Sequence, residues 1–140
     1  MIRRSAPRKK TANQRQLEEL DGLLKAILIL KRGERCELES HSTCGWRGQG
    51  VHAMHILPKG TYKTMRFVEE NLLLGCYRHH LEFAHKDPSG FTQWVEAVFP
   101  GRMERLRISA RMTRKLDLRE LKAVLKSVLR QVESLRGAKQ

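Results

Sequence analysis

Apolar residues recur at alternating intervals of three and four in two separate stretches of the chain. The first stretch contains Leu17, Leu20, Leu24 and Ile27; the second contains Leu118, Leu121, Leu125, Val128, Val132 and Leu135. This spacing places one face of an α-helix on a buried surface. The sequence therefore predicts an N-terminal helix ended by Gly33 and a C-terminal helix capped by Asp117. We expect the two stripes to pack on each other, while a homodimer through the C-terminal helix stays open.

Between these helices the apolar runs are short. Residues 51–57 and 72–74 predict two strands of a hairpin, and Pro58 stops the first because proline cannot donate a ladder hydrogen bond. A helix is expected from near Tyr77 to the step before Pro88, since the residue before proline disfavours helical geometry. Another helix follows, marked by Phe91, Trp94, Val95 and Val98. The predicted class is α+β and mostly helical, with a small hairpin-helix core between flanking helices.

The order of these patterns divides the chain into four parts. Residues 1–11 form a basic arm expected to be disordered, because it holds almost nothing apolar to bury. Residues 12–33 form the N-terminal helix, residues 34–100 the core, and residues 101–140 a basic helical extension.

The charge balance points to a polyanionic partner. The 140 residues include 28 Lys and Arg against 15 Asp and Glu, a formal net charge of +13. Basic side chains release counterions from nucleic acid, so DNA or RNA is the expected partner class. A ribosomal-type basic surface is the simpler alternative.

Apolar runs are too short to cross a bilayer, and the basic N-terminus lacks the apolar segment of a secretory signal, so we expect a cytoplasmic protein.

Three cysteines and a histidine have spacings typical of a metal site. Cys76 and His79 form a Cys-x-x-His pair after the hairpin, and Cys36 and Cys44 precede it. Two such pairs would bind one structural Zn²⁺ and stabilise a hairpin too small to bury a core. His41 lies between the first two cysteines and is an alternative to Cys36 as a ligand.

A histidine, an asparagine and a second histidine follow one another along the predicted strand, loop and helix. They are His55 in VHAMHILP, Asn71 in ENLLLGC and His80 in CYRHH. With the two cysteine groups and the His85–Pro88 element followed by Phe91 and Trp94, this order resembles the HNH (ββα-metal) nuclease family, in particular its small phage and prophage members. The resemblance covers roughly residues 32–106, and it rests on the joint order and spacing of the pieces.

The resemblance implies a metal-dependent endonuclease that hydrolyses DNA, in a bacterial cell or for a phage. His55 would be the general base that activates water, and Asn71 would hold that ring or the loop around it. His80 would bind a catalytic divalent cation, Mg²⁺ or Mn²⁺, with His85 as a second candidate ligand. His85 lies five residues from His80, about 140° around an ideal α-helix, so the helix would have to end before His85 for both residues to bind one ion.

One position departs from the family pattern. Many members carry Asp or His directly before the general base, whereas this chain has Met54, and a thioether is a poor ligand for a hard cation. His52, on the same strand face as Met54, is a substitute.

Basic residues near the predicted site are expected to contact DNA phosphates without reading sequence. They are Lys59, Lys63, Arg66, Arg102 and Arg105. Two other functions stay open: a zinc-stabilised nucleic-acid-binding module without catalysis, and a basic helical assembly protein.

Overall fold

The computed structural model describes residues 5–41, 44–48, 50–112 and 115–138. Its helices are α1 (Ala12–Arg32), α2 (Pro88–Val98), α3 (Arg102–Met112) and α4 (Leu118–Gly137), and its strands are β1 (His52–His55) and β2 (Leu72–Gly75). A π-helix (Arg78–Ala84) follows β2, and two 3₁₀ turns lie between the strands at Lys63–Met65 and Glu69–Asn71. The predicted class, α+β and mostly helical, is confirmed.

The two strands form one antiparallel hairpin at the centre of the fold. His55 pairs with Leu72 at one end and His52 with Gly75 at the other. Successive side chains point to opposite faces of a strand, so β2 contributes to two separate cores. Leu73 packs into one core, and Leu72 and Leu74 pack into the other.

Helices α1 and α4 cover the Leu72 face of the hairpin. The Thr11 side chain and Gln14 form a capping box at the start of α1, which satisfies backbone N–H groups that have no partner within the helix. The apolar stripe of α1 is buried against the hairpin and against Leu125 of α4. Asp117 caps α4 as predicted, and its carboxylate accepts from the backbone N–H groups of Arg119 and Glu120. The two stripes pack within one chain, and a homodimer through α4 stays a prediction.

Helices α2 and α3 cover the other face. Phe91 and Val95 from α2, and Met103 and Leu106 from α3, pack with Leu73. The sequence predicted a basic extension beyond residue 100 without resolving α3, since few of its residues are apolar. The hairpin is thus a layer between two pairs of helices, and its β1–β2 loop emerges at one end.

The segment after β2 differs from the prediction. The sequence predicted an α-helix from near Tyr77 to the step before Pro88, but the segment is a π-helix that ends at Ala84, and the His85 backbone N–H donates to the His80 carbonyl at 3.2 Å. In a π-helix, residues i and i+5 are hydrogen-bonded, so they lie in neighbouring turns. The His80 and His85 ring centroids are 4.6 Å apart, and the helix ends directly before His85, as a shared site for these two residues required.

The N-terminal arm is only partly within the described residues, since residues 1–4 lie outside them. Residues 5–10 are exposed and have no regular secondary structure, and Lys10 pairs with Glu18 of α1 at 2.8 Å. No helix in the described ranges combines the length and the apolar character that a membrane crossing needs.

Candidate metal centre and active-site cleft

Three thiols and one imidazole converge where the loop before β1 meets the start of the π-helix. The ligand atoms of Cys36, Cys44, Cys76 and His79 all lie within 4.8 Å of one another. Cys36, Cys76 and His79 are buried, and Cys44 is partly exposed. Four such donors match the set that holds tetrahedral Zn²⁺ in structural sites. The cluster can therefore hold a metal ion such as zinc.

Backbone and side-chain contacts orient these four donors. His79 Nδ1 lies 3.3 Å from the sulfur of Cys36 and 3.3 Å from that of Cys76. The backbone N–H groups of Gly45 and His79 both point at the Cys76 sulfur, at 3.4 and 3.5 Å. N–H groups directed at sulfur stabilise a thiolate, which is the form that binds metal.

The thiols differ in their readiness to ionise. Burial raises the pKa of Cys36 to about 12, and the neighbouring thiols add to this effect. Burial also raises the pKa of Cys76, but hydrogen bonds from His79, Gly45 and the other two thiols outweigh it and leave the pKa lowered. Several thiolates at this separation repel one another unless a cation lies between them. The charge pattern therefore favours a bound cation.

His41 lies outside this set of ligands. Its Nδ1 is 3.3 Å from His79 Nε2, and its ring stacks on Phe83 with centroids 4.0 Å apart. Cys36, and not His41, belongs to the group of converging donors. His41 instead engages the ring nitrogen of His79 that faces away from the thiols, a contact that fixes the orientation of a metal-binding histidine.

His55 is the last residue of β1, and one of its ring nitrogens is hydrogen-bonded. Its Nε2 lies 3.0 Å from the backbone carbonyl oxygen of Arg66. Because a carbonyl only accepts, Nε2 carries the hydrogen, and in the neutral ring Nδ1 keeps its lone pair. Burial lowers the pKa of His55. The ring is thus held as a neutral base with a defined tautomer.

Asn71 is fully buried and holds the loop after His55. Its Oδ1 accepts from the Leu57 backbone N–H at 2.7 Å, and its Nδ2 donates to the carbonyls of Leu57 and Met65 at 3.1 and 3.0 Å. These three bonds tie both ends of the β1–β2 loop together. Of the two roles that the resemblance implies for Asn71, its contacts correspond to holding the loop.

Three imidazoles lie together, from β1, from the π-helix and from the residue that follows this helix. His52 Nδ1 is 2.9 Å from His80 Nδ1, and the His85 ring is next to that of His80. Burial lowers the pKa of His80 to about 4, together with the smaller effect of positive charge on His85 and His52. A neutral imidazole is the form that binds metal. Met54 is buried in the core, where its sulfur faces Gly75.

A cleft of about 680 Å³ joins His55 to the histidines of the π-helix. His55, His80 and His85 line it together with Lys59, Arg107 and the ring of Tyr62. No Asp or Glu is among the described residues that line it. Such a cleft attracts phosphate groups and offers nitrogen, not oxygen, ligands from its side chains.

The five basic residues expected to contact DNA fall into two groups. Lys59 and Lys63 are exposed on the loop that follows β1. Arg66 forms an ion pair with Asp21, and Arg105 pairs with Glu70. Arg102 is buried and donates to the Glu70 and Leu72 carbonyls. The guanidinium groups of the three arginines therefore bond to other groups of the protein, although Arg105 is exposed.

No protein-family model, curated protein or solved structure matches the chain. The resemblance to HNH nucleases therefore rests on the sequence motif alone.

Sequence reasoning ranked two residues of this region too low. His52 was only a substitute ligand, yet it is in contact with His80. Asp21 was not singled out from the sequence, yet it lines a small cavity with His55. The HxxH spacing of His52 and His55 at a strand end was a sequence signal for His52. No sequence signal marked Asp21.

Proposed function

We propose that this chain is a metal-dependent endonuclease of the HNH type that hydrolyses DNA phosphodiester bonds. The observation that carries the proposal is that His55, with its Nδ1 lone pair, and the imidazoles of His80 and His85 line the same basic cleft. General base catalysis needs a neutral acceptor near the nucleophile, and phosphate chemistry needs positive charge opposite it.

His55 is the general base in this proposal. Its Nδ1 takes a proton from a water molecule as that water attacks phosphorus, and the Arg66 carbonyl keeps the ring oriented through Nε2. Burial keeps the ring neutral near pH 7 and therefore able to accept that proton. Asn71 fixes the loop that carries the Arg66 carbonyl by bonding to its neighbour Met65.

His52, His80 and His85 are the proposed ligands of the catalytic ion. A divalent ion held there would polarise the phosphate and stabilise the leaving 3′ oxygen. Imidazole nitrogen suits transition ions, whereas Mg²⁺ prefers carboxylate and water oxygen. Of the two ions first expected, the donor set favours Mn²⁺ over Mg²⁺. The Met54 departure from the family pattern is then without consequence, since His52 supplies the strand's ligand.

Zinc at Cys36, Cys44, Cys76 and His79 is structural in this proposal. All four positions of a tetrahedral ion are filled by protein donors, and this leaves none for water or substrate. His79 and His80 are neighbours at the start of the π-helix. The structural site therefore fixes the helix that carries the proposed catalytic ligand.

Lys59, Lys63 and Arg107 are the proposed phosphate contacts. All three are exposed, and Lys59 and Arg107 line the cleft. Arg66, Arg102 and Arg105 are left out of this set because their guanidinium groups bond within the protein.

The proposal is tested by plasmid cleavage with the zinc-loaded chain and added Mn²⁺ or Mg²⁺. We expect nicked or linear product with the wild type and a loss of about 100-fold or more with His55→Ala, in line with the loss of a general base. Arg119→Ala, on the exposed side of α4, is the matched control and should cleave normally. Equal cleavage by wild type and His55→Ala contradicts the proposal. DNA binding without cleavage in any divalent ion would instead support the non-catalytic binding module.

A further inference from the structure

Arg66, whose carbonyl orients His55, is itself hydrogen-bonded to a part of the chain that is distant in sequence. Arg66 follows the 3₁₀ turn in the β1–β2 loop, and its backbone carbonyl accepts from His55 Nε2. Its guanidinium reaches across to α1, where Nε and Nη2 donate to the two carboxylate oxygens of Asp21 at 3.1 and 2.6 Å. We propose that Asp21 is a positioning residue for His55, acting through Arg66. This inference rests on the proposed function, because it assigns Asp21 to that same site.

The form of the Asp21–Arg66 contact fixes Arg66 in both position and orientation. A guanidinium that donates two parallel bonds to one carboxylate is held in a plane, whereas a single contact leaves it free to rotate. The side chains are 18% and 28% exposed for Arg66 and Asp21, so water competes little for these bonds. The guanidinium also lies over the Phe67 ring at 5.6 Å. The carbonyl of Arg66 is therefore set by a contact with α1.

Two anchors thus hold neighbouring residues of the loop. Asn71 bonds to the carbonyl of Met65 from inside the fold, and Asp21 bonds to the side chain of Arg66 from α1. His55 receives its orientation from the second of these residues. A shift of the Arg66 carbonyl would free Nε2 and let the ring rotate or change tautomer, and Nδ1 would no longer keep a fixed lone pair.

Asp21 also lies close to His55 itself. The two residues line a small cavity of about 80 Å³ between α1 and β1, together with Leu24 and Lys59. The negative charge of Asp21 raises the pKa of His55 and so opposes part of the lowering by burial and by Lys59. The same carboxylate would stabilise the positive ring that forms when His55 accepts a proton.

A second ion pair on α1 provides a matched control. Glu19 pairs with Lys122 of α4 at 2.8 Å, and both side chains are more exposed than those of the Asp21–Arg66 pair. It joins α1 to α4 and lies outside the chain of contacts to His55. A purely structural role for α1 ion pairs predicts similar effects of removing either one.

The test compares Asp21→Asn, Asp21→Glu and Glu19→Gln in the full zinc-loaded chain. Long-range ¹H–¹⁵N spectra report the tautomer of His55, and cleavage kinetics separate kcat from KM for plasmid DNA. We expect Asp21→Asn to lower the Nε2–H population and to reduce kcat about 10–100-fold at unchanged KM, as for a misplaced catalytic group. Asp21→Glu should restore part of kcat, and Glu19→Gln should change neither quantity.

An unchanged tautomer and kcat in Asp21→Asn would overturn the inference, as would an equal loss in Glu19→Gln. The spectra need no cleavage, so the positioning role is decided even if the chain proves not to cut DNA. If Asp21→Asn fails to fold, Arg66→Lys takes its place, since it keeps the charge but loses the paired geometry. A normal tautomer in Arg66→Lys would then overturn the inference.

Discussion

His52 Nδ1 and His80 Nδ1 lie 2.9 Å apart, although one residue is on β1 and the other in the π-helix. At this distance one ring donates a hydrogen bond to the other, and the same two nitrogens are close enough to bind one ion in the proposed site. His85 is next to His80 because the π-helix brings residue i+5 into the neighbouring turn. The π-helix therefore has a direct consequence for the proposed catalytic ion, since an α-helix would turn His85 away.

Loss of one imidazole should weaken binding of the catalytic ion. For His52→Ala and His80→Ala we expect the Mn²⁺ affinity to fall by more than the roughly 10–100-fold that is typical of outer-shell partners. Met54→Leu is the control, because Met54 is buried and a leucine has a similar volume, a change that cores usually tolerate. Isothermal titration calorimetry of the zinc-loaded chain measures the Mn²⁺ affinity of all three variants. Normal Mn²⁺ binding by His80→Ala would contradict the assignment of these ligands.

How much of this site the sequence predicts depends on how local each contact is. The zinc donors and the order of His55, Asn71 and His80 follow from spacing along the chain, and the structure brings the four zinc donors together. The π-helix does not follow, because i→i+5 bonding is rare and its residues have no distinctive pattern. The position of His85 next to His80 could therefore be found only from the structure.

The partners of the basic residues could not be predicted from the sequence either. Arg66 and Asp21 are 45 positions apart, and Arg102 is 30 positions from Leu72, whose carbonyl it contacts. Composition gives the total charge of a chain but not which charges are paired inside it. By contrast, the packing of α1 on α4 was predictable, because each helix has an apolar stripe of the same spacing and each needs a partner.

Removal of zinc should unfold the core. Structural zinc sites contribute about 10–16 kcal/mol in small domains, comparable with the whole stability of a fold, about 5–15 kcal/mol. We expect one zinc per chain by elemental analysis, and loss of cooperative thermal unfolding after chelation, followed by circular dichroism. Cys76→Ser should behave like the chelated protein. A chelated chain that keeps its unfolding transition would show that the four donors do not stabilise the fold through a metal.

His41→Ala should weaken zinc binding without abolishing it. His41 contacts the far nitrogen of His79, and the loss of such a partner costs about 10–100-fold in metal affinity. Competition with a zinc-binding dye measures the difference from wild type. An affinity loss as large as that of Cys76→Ser would show that His41 is a ligand itself.

Asn71→Ala should destabilise the fold and reduce cleavage together. The substitution leaves one buried N–H and two buried carbonyls without their partner, at about 1–3 kcal/mol each, so we expect a loss of about 3 kcal/mol or more. Urea unfolding of the zinc-loaded chain measures it. Asn71→Asp keeps the volume and the acceptor but loses both donated bonds, and it should be equally unstable. A stable Asn71→Ala would show that these contacts do not hold the loop.

The dependence of cleavage on pH should reflect the buried state of His55. Burial lowers the pKa of His55 below its usual value near 6.5, and a general base works only when deprotonated. The value of kcat/KM should therefore rise as the pH increases and reach half of its maximum below pH 6.5. It should be constant near neutral pH. Saturating Mn²⁺ keeps proton uptake by the other histidines from limiting the rate. A midpoint above pH 7 would contradict the proposed environment of the base.

Salt dependence of DNA binding should identify the cleft as the phosphate-binding surface. Each phosphate contact contributes about 0.9 to the slope of log affinity against log salt, so Lys59→Ala should lower the slope by about that amount. Arg105→Ala is the matched control, because Arg105 is exposed as well but pairs with Glu70. Its loss should leave the slope unchanged while slightly lowering stability, by about 1 kcal/mol or less. Fluorescence anisotropy with a labelled duplex between low and moderate salt measures both slopes. Equal slopes for wild type and Lys59→Ala would mean that DNA binds elsewhere on this basic protein.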